Sequence, residues 1–285
     1  LDRGGIAAIG TETVYGLAAD AANGAAVARI FEAKGRPRFN PLIVHVDGVR
    51  MGERYGAFDP LARRLTERFW PGPLTLVVPL RDGAPLHPIA LGGLATVALR
   101  APRGAMAEVV GAFGRALVAP SANRSGRVSP TTADHVLRTL DGRIDLVLDG
   151  GAATHGLEST IVRVEGDALV LLRPGTITEA DLREATDRPV RRRAEGEAID
   201  APGQFLSHYA PHGRVRLDAE APRAGEYWIG FGEDGRPAPP QAAGAIDLSP
   251  AGDLREAAAG LFAALSLFDA PDIERIAVAA IPRDG

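Results

Sequence analysis

Apolar positions along the chain gather in short unbroken runs or recur at helical spacing, and polar stretches rich in Gly and Pro separate them. Residues 6–9, Ile-Ala-Ala-Ile, are too few for a helix and read as a buried strand. A loop over residues 10–16 follows. Ala22, Ala25, Ala26, Ile30 and Phe31 then recur at helical spacing, with Asn23 near the start and Gly35 past the end. A strand at 42–46 closes this αβ unit. Residues 60–69 read as a helix with Leu61 and Leu65 on one face, broken by Trp70-Pro71-Gly72-Pro73. Strands are expected at 74–79 and 96–100, a helix at 106–113 and a strand at 116–119, which runs into the polar turn 120–126. A helix at 131–140 and a strand at 144–148 lead to the turn Asp149-Gly150-Gly151. Residues 158–162 and 168–172 read as a hairpin, and a helix at 180–185 ends the region. The alternation predicts an α/β fold, a mixed twisted sheet with flanking helices, over residues 1–187.

Periodicity fades after Asp187. Residues 188–212 contain Arg191-Arg192-Arg193, Pro202-Gly203 and His208-Tyr209-Ala210-Pro211, and read as a linker. A connection of that length in a compact protein is functional or disordered. Beyond it, strands at 215–217, 227–231 and 276–280 surround a helix whose stripe is Leu254, Ala257, Ala258, Leu261, Phe262, Leu265 and Phe268. This predicts a smaller α/β domain at 213–285. The chain starts almost on a strand, so a few residues are expected to precede Leu1.

Composition narrows the chemistry. At 285 residues, with 46% apolar and 24% charged positions, the chain suits two globular domains. Its net charge of -4 excludes a generally basic nucleic-acid coat, so an anion must be held by local clusters. With no cysteine there is no disulfide, thiol nucleophile or thiolate metal site, which fits the cytoplasm. No run of 18 apolar residues is present, so no membrane span is expected. A Walker loop would need Gly-Lys-Ser or Gly-Lys-Thr, yet the only lysine follows Ala33. Neither Ser121 nor Ser159 sits in a GxSxG elbow. Pro211 prevents the helix that would aim His208 and His212 at one metal. No other grouping marks a resident metal site.

What remains is a set of polar residues at predicted element ends. Lys34, the single lysine against 31 arginines, opens the loop Lys34-Gly35-Arg36-Pro37-Arg38-Phe39-Asn40-Pro41. A compact ammonium suits one phosphate oxygen in a tight space, although chance also explains a lone lysine. Arg100, Ser121, Asn123, Ser129, Ser159 and Arg173 also lie at or beyond element ends, the edge where α/β sheets bind ligands. Several cations without a carboxylate excess suit a polyphosphate, whose transfer needs charge neutralisation and alignment more than covalent chemistry.

The segments Thr11-Glu12-Thr13-Val14-Tyr15-Gly16-Leu17, Lys34-Gly35-Arg36-Pro37, Pro120-Ser121-Ala122-Asn123, Ser129-Pro130-Thr131, Gly156-Leu157-Glu158-Ser159-Thr160 and Leu172-Arg173-Pro174-Gly175 resemble the YrdC-like domain of threonylcarbamoyl-AMP synthases. His208-Tyr209-Ala210-Pro211 and the small domain resemble the two-domain form of that family. The resemblance implies an L-threonylcarbamoyladenylate synthase, a nucleotidyltransferase using L-threonine, bicarbonate and ATP with Mg2+. Its product would pass to separate transferase proteins for tRNA threonylcarbamoyladenosine formation. It also implies that Lys34 and Arg36 act in catalysis. ATP would contact Lys34, Arg36, Asn40, Thr96, Ser121, Asn123, Ser129, Arg173 and Tyr209; threonine would contact Thr13, His45, Arg100, Ala119 and Ser159. Two departures stand out. Gly10 replaces the family's usual proline, which predicts a looser loop, and the chain stops before a glycine-rich basic segment, which predicts an incomplete second domain.

Each residue keeps a structural alternative. Thr13 and the serines serve as turn residues elsewhere, His45 reads equally as a core histidine, and Arg100 and Arg173 as structural pairs. Tyr209 is an anchor for the linker or a side chain reaching over the nucleotide. The run 191–193 reads as solvated charge, with a tRNA contact as the alternative. For the whole chain, a non-catalytic double-stranded RNA or tRNA binder on the same fold is the rival, and carbamoyl transfer from carbamoyl phosphate a further one. The linker is expected to act as a lid.

Overall fold

The computed structural model describes residues 1–37, 39–194, 201–202, 209–232 and 238–282; Arg38, Gly203, His208 and the chain end at 283–285, named above, fall outside them. In the first part, strands β1 (Ala7–Gly10), β2 (Tyr15–Asp20), β3 (Ile43–His45), β4 (Leu74–Pro79), β5 (Thr96–Arg100), β6 (Leu117–Val118), β7 (Leu146–Leu148), β8 (Thr160–Glu165), β9 (Ala168–Arg173) and β10 (Val190–Arg192) form one ten-stranded sheet, ordered β10-β9-β8-β4-β5-β3-β6-β2-β1-β7. Its pairings are mixed: β3 runs parallel to β5, β4 antiparallel to β5, and β2 antiparallel to β1. The helices of this part are α1 (Gly24–Lys34), α2 (Val49–Gly52), α3 (Pro60–Phe69), α4 (Ala105–Phe113), α5 (Ala133–Leu140) and α6 (Glu179–Thr186). The main core joins α1 to the sheet through Ile30, Phe31, Leu17, Val44, Leu76 and Leu99.

Local chemistry sets the helix ends that matter for the site. Asn23 caps α1 by accepting from the N–H groups of Ala25 and Ala26, the expected use of a short amide at that position. Gly35 ends it at φ +60°, a left-handed conformation that glycine adopts without a Cβ clash. Lys34 is thereby the last residue of α1, turned inward, 2% exposed. Asp59 caps α3 and Pro60 starts it, where its missing N–H costs nothing.

Two strands differ from the sequence expectation. Residues 15–20 form β2, buried at every position between β1 and β6. A strand covered on both faces shows no alternation, and Tyr-Gly-Leu-Ala-Ala-Asp is poor in β-branched residues, so the pattern gave no strand signal. The linker expected from residue 188 begins instead as edge strand β10, parallel to β9. Arg191 and Arg192 are not free charge there: they pair with Glu165 at 2.6 Å and Glu179 at 2.6 Å.

The second part is a four-stranded parallel sheet, β11 (Arg214–Ala219), β12 (Tyr227–Gly230), β13 (Gly244–Asp247) and β14 (Arg275–Ala279), ordered β11-β14-β12-β13. Helix α7 (Leu254–Leu267) carries the predicted stripe, and Ala257, Phe262, Leu265 and Phe268 pack in one cluster with Ile229, Ile276 and Val278. That cluster also contains Val14 and Val128 from the first part, so the two parts share apolar packing. Arg138 on α5 donates to the Ser266 carbonyl at 2.9 Å across the same junction. Among the described residues no helix is long and apolar enough to cross a membrane.

Candidate functional site

The ends of β3, β5, β6 and β9 and the loops at 11–16 and 156–159 converge on one hollow. It is lined by Thr11, Val14, Arg36, His45, Arg100, Ala119, Ser121, Glu158, Arg173 and Pro202, and the space left between them is about 30 Å3. Residues more than 190 positions apart in the chain therefore meet, because the strand order places their ends side by side.

One wall is cationic. Lys34 Nζ donates to the carbonyls of Ser121 and Asn123, at 2.5 Å each, so the ammonium pins the 121–123 turn to the end of α1. Burial, and then the neighbouring Arg36 charge, hold its pKa well below the ordinary lysine value. Arg36 donates to the carbonyls of Asn40 at 3.3 Å and Pro41 at 2.9 Å, which fixes the proline-stiffened loop. Burial depresses its pKa to about 10, partly offset by Glu158. Arg173 at the end of β9 grips Ser159, with Nε on its carbonyl at 3.0 Å and NH2 on its hydroxyl at 2.9 Å. Three buried cations so close lack protein anions in equal number, which is the electrostatic signature of an anion cradle.

The opposite wall is smaller and holds the other predicted set. Arg100 NH1 donates to the Thr13 hydroxyl at 2.9 Å, and NH2 lies 2.7 Å from Glu12 Oε1. Despite that approach, Arg100 NH2 has no hydrogen bond of good geometry among the described residues. Thr13 in turn meets the Thr11 hydroxyl at 2.9 Å, while Thr11 closes its own turn onto the Val14 carbonyl at 2.7 Å. That closure holds the loop after Gly10, so the glycine does not leave it open. His45 sits beside Arg100 in the β3–β5 register. Burial, with the Arg100 charge, pushes its pKa down to about 3, so the imidazole is neutral. Its Nδ1 has no hydrogen-bond partner among the described residues.

The remaining expected residues divide by position. Ser121 and Ala119 line the hollow directly. Asn40 is buried at its rim, and its side-chain oxygen lacks a partner among the described residues. Ser129 reaches the hollow through Glu158, donating to Oε1 at 2.8 Å. Ser159 lies beneath the surface rather than on it, its hydroxyl shared between Arg173 and Thr75, 2.7 Å away. Asn123 uses its amide to close its own turn onto the carbonyls of Arg124 and Arg127. Thr96 begins β5 while Arg100 ends it, roughly 13 Å away at the usual strand rise, and it does not line the hollow. Tyr209 arrives from the linker at φ +58°, a left-handed conformation that costs a non-glycine residue about 1–2 kcal/mol. It is held there by stacking on Phe262, centroids 5.1 Å apart, and by a hydrogen bond from Arg173. Burial raises its pKa to about 12.

Sequence reasoning passed over Glu12, Glu158 and Pro202. Both carboxylates stand directly before a nominated hydroxyl, in Glu12-Thr13 and Glu158-Ser159. That repetition was the available signal. Pro202 lines the hollow beside the fully buried Ala201, and nothing in its local sequence marks it.

The fold and hollow together define a two-part α/β protein with an anion cradle beside a small polar pocket. The chain belongs to the Sua5/YciO/YrdC family: residues 1–175 match that family's profile, described as telomere recombination. Residues 177–285 match the profile of the threonylcarbamoyl-AMP synthase C-terminal domain. The chain is 38% identical to the threonylcarbamoyl-AMP synthase of Bacillus subtilis strain 168, over 98% of its own length and 85% of that protein. It is 37% identical to the threonylcarbamoyl-AMP synthase of Pyrococcus abyssi, over 99% and 87% of the two lengths. It superposes on the crystal structure of P. abyssi Sua5 complexed with L-threonine with a TM-score of 0.86, at 35% identity, covering 98% of this chain and 86% of that one.

Proposed function

We propose that this chain is an L-threonylcarbamoyladenylate synthase, joining L-threonine, bicarbonate and ATP into threonylcarbamoyl-AMP with release of pyrophosphate and water, for tRNA threonylcarbamoyladenosine formation. The observation that carries this reading is the placing of a three-cation cradle, Lys34, Arg36 and Arg173, in one hollow with the Thr13–Arg100–His45 pocket. The relatives' shared name and the threonine complex of P. abyssi Sua5 support it. An RNA binder would use the cations but has no need of the second pocket.

In this reading Arg100 turns its under-used NH2 toward the threonine carboxylate, with Thr13 and Glu12 setting the plane of the guanidinium. Neutral His45 offers an acceptor nitrogen to the amino acid without adding a charge. Lys34, Arg36 and Arg173 face the phosphates, stabilising charge that grows on the departing pyrophosphate. The described residues contain no group of three or more His, Asp or Glu able to hold a metal. Magnesium therefore enters with the nucleotide as part of the substrate, as expected of an ion that favours phosphates and water. Catalysis is alignment and electrostatics, since no residue in the hollow is placed as a dedicated general base.

The test is pyrophosphate release with threonine and bicarbonate omitted in turn, in the wild type and in Lys34→Met. Release should require all three substrates, and Lys34→Met should lose activity by about 100-fold or more, the scale of an electrostatic contact to the transition state. The same variant should keep its melting temperature, because methionine fills the space without a desolvated charge. Release independent of threonine would reject the reading, and full activity in Lys34→Met would remove Lys34 from it.

A further inference from the structure

Among the described residues lining the hollow, Glu158 is the one carboxylate. Its Oε1 accepts from Ser129 at 2.8 Å, its Oε2 lies 3.6 Å from Arg173 NH2, and its charge also reaches Lys34 and Arg36. Its side chain is 11% exposed. Buried cations without a nearby anion are costly, so in the ligand-free chain this carboxylate lowers the cost of assembling the cradle. A polyphosphate brings several negative charges to the same place, and like charges a few ångströms apart repel strongly.

The loop that carries Glu158 is fixed on both sides. Gly156 lies at φ +62° beneath α7, where an added Cβ would come within 2.0 Å of the Ala259 carbonyl oxygen. Leu157 packs against the cluster of Phe262 and Leu265, and Ser159 is held by Arg173 and Thr75. The backbone is thus set, while rotation about the Glu158 side chain remains the cheap motion.

We propose that Glu158 is a built-in counter-ion that competes with the phosphates for the cradle, neutralising Lys34, Arg36 and Arg173 when it is empty and giving way when a polyphosphate arrives. The proposal rests on reading the hollow as a phosphate cradle. Its consequence is a cradle that holds pyrophosphate less tightly than its cations alone would. A loosely held product leaves readily, so such a residue favours turnover over affinity.

The test is calorimetric titration of the full chain with sodium pyrophosphate, in chelator so that no metal bridges the two anions. Glu158→Gln keeps the side-chain shape and the Ser129 hydrogen bond but removes the charge. It should bind pyrophosphate with a Kd about tenfold lower than the wild type, while its melting temperature without ligand should fall. Glu158→Asp, which keeps the charge, should stay within about twofold of the wild type. Equal or weaker binding by Glu158→Gln overturns the proposal, and so does a gain in Glu158→Asp equal to that in Glu158→Gln, which would assign the effect to shape. A wild type that binds no pyrophosphate would remove the phosphate cradle itself, and the counter-ion role with it.

Discussion

The hollow is built from residues that are charged or polar and still buried, and each such residue makes the protein sensitive to something measurable. His45 is the clearest case. Its pKa falls from an ordinary 6.5 to about 3 on folding, because the imidazolium would be dry and beside Arg100. Below pH 6.5 the unfolded chain takes up a proton at this position that the folded chain refuses. Stability is therefore lost as pH falls from about 6.5 toward about 3, by at most about 1.4 kcal/mol per pH unit for this one site. His45→Gln has nothing to protonate there, so denaturant melts across that range should show a shallower acid loss than the wild type. Parallel curves would mean that His45 is protonated in the folded state. At the same scale, Glu12 and Glu158 show why residue chemistry alone misjudged the site: a carboxylate beside a phosphate reads as an error until its cationic neighbours are seen.

At the scale of elements, legibility followed burial pattern. Helices α3 and α7 were readable because each shows one polar and one apolar face, and each begins at an aspartate cap, Asp59 and Asp253. Strand β2 was not, because it is buried on both faces and carries Gly16, where an added Cβ would meet Ala119 and Met106 at 3.1 and 3.2 Å. The 156–159 loop is the element that joins site to second domain. Gly156→Ala should lower the melting temperature through a left-handed backbone, costing about 1–2 kcal/mol, and further by pushing α7 off the loop. Gly151→Ala is the control, since it shares a positive φ of +81° but has open space around it. Differential scanning calorimetry should rank Gly156→Ala clearly below Gly151→Ala, and equal losses would show that α7 does not press on this loop.

At the scale of the whole molecule, the second domain and linker cover the site. Ala201 is fully buried against Ile43, Val77, Ala98 and Leu172, Pro202 lines the hollow, and Tyr209 is clamped between Arg173 and Phe262. The space left, about 30 Å3, suits one water rather than a nucleotide. The cover must therefore move for substrates to enter, and closing it again would exclude water from the phosphates. Removing residues 200–285 should weaken ATP and threonine binding by about tenfold or more, measured by calorimetry on a truncated chain whose circular dichroism shows it folded. Unchanged affinity would mean that the first sheet completes the site alone.

The amino-acid sequence by itself determined the alternating helices and strands, the change of character near residue 188, and the motifs that carry the family. All of these are local, written in the spacing of apolar positions, caps and turn residues. The tertiary structure alone decided that Glu158 would stand among three cations, that Ser159 would support Arg173 from below, and that Thr96 would lie away from the hollow. Those outcomes depend on which strand ends become neighbours across the sheet. That order is set by packing summed over the whole chain, and no short stretch of residues contains it.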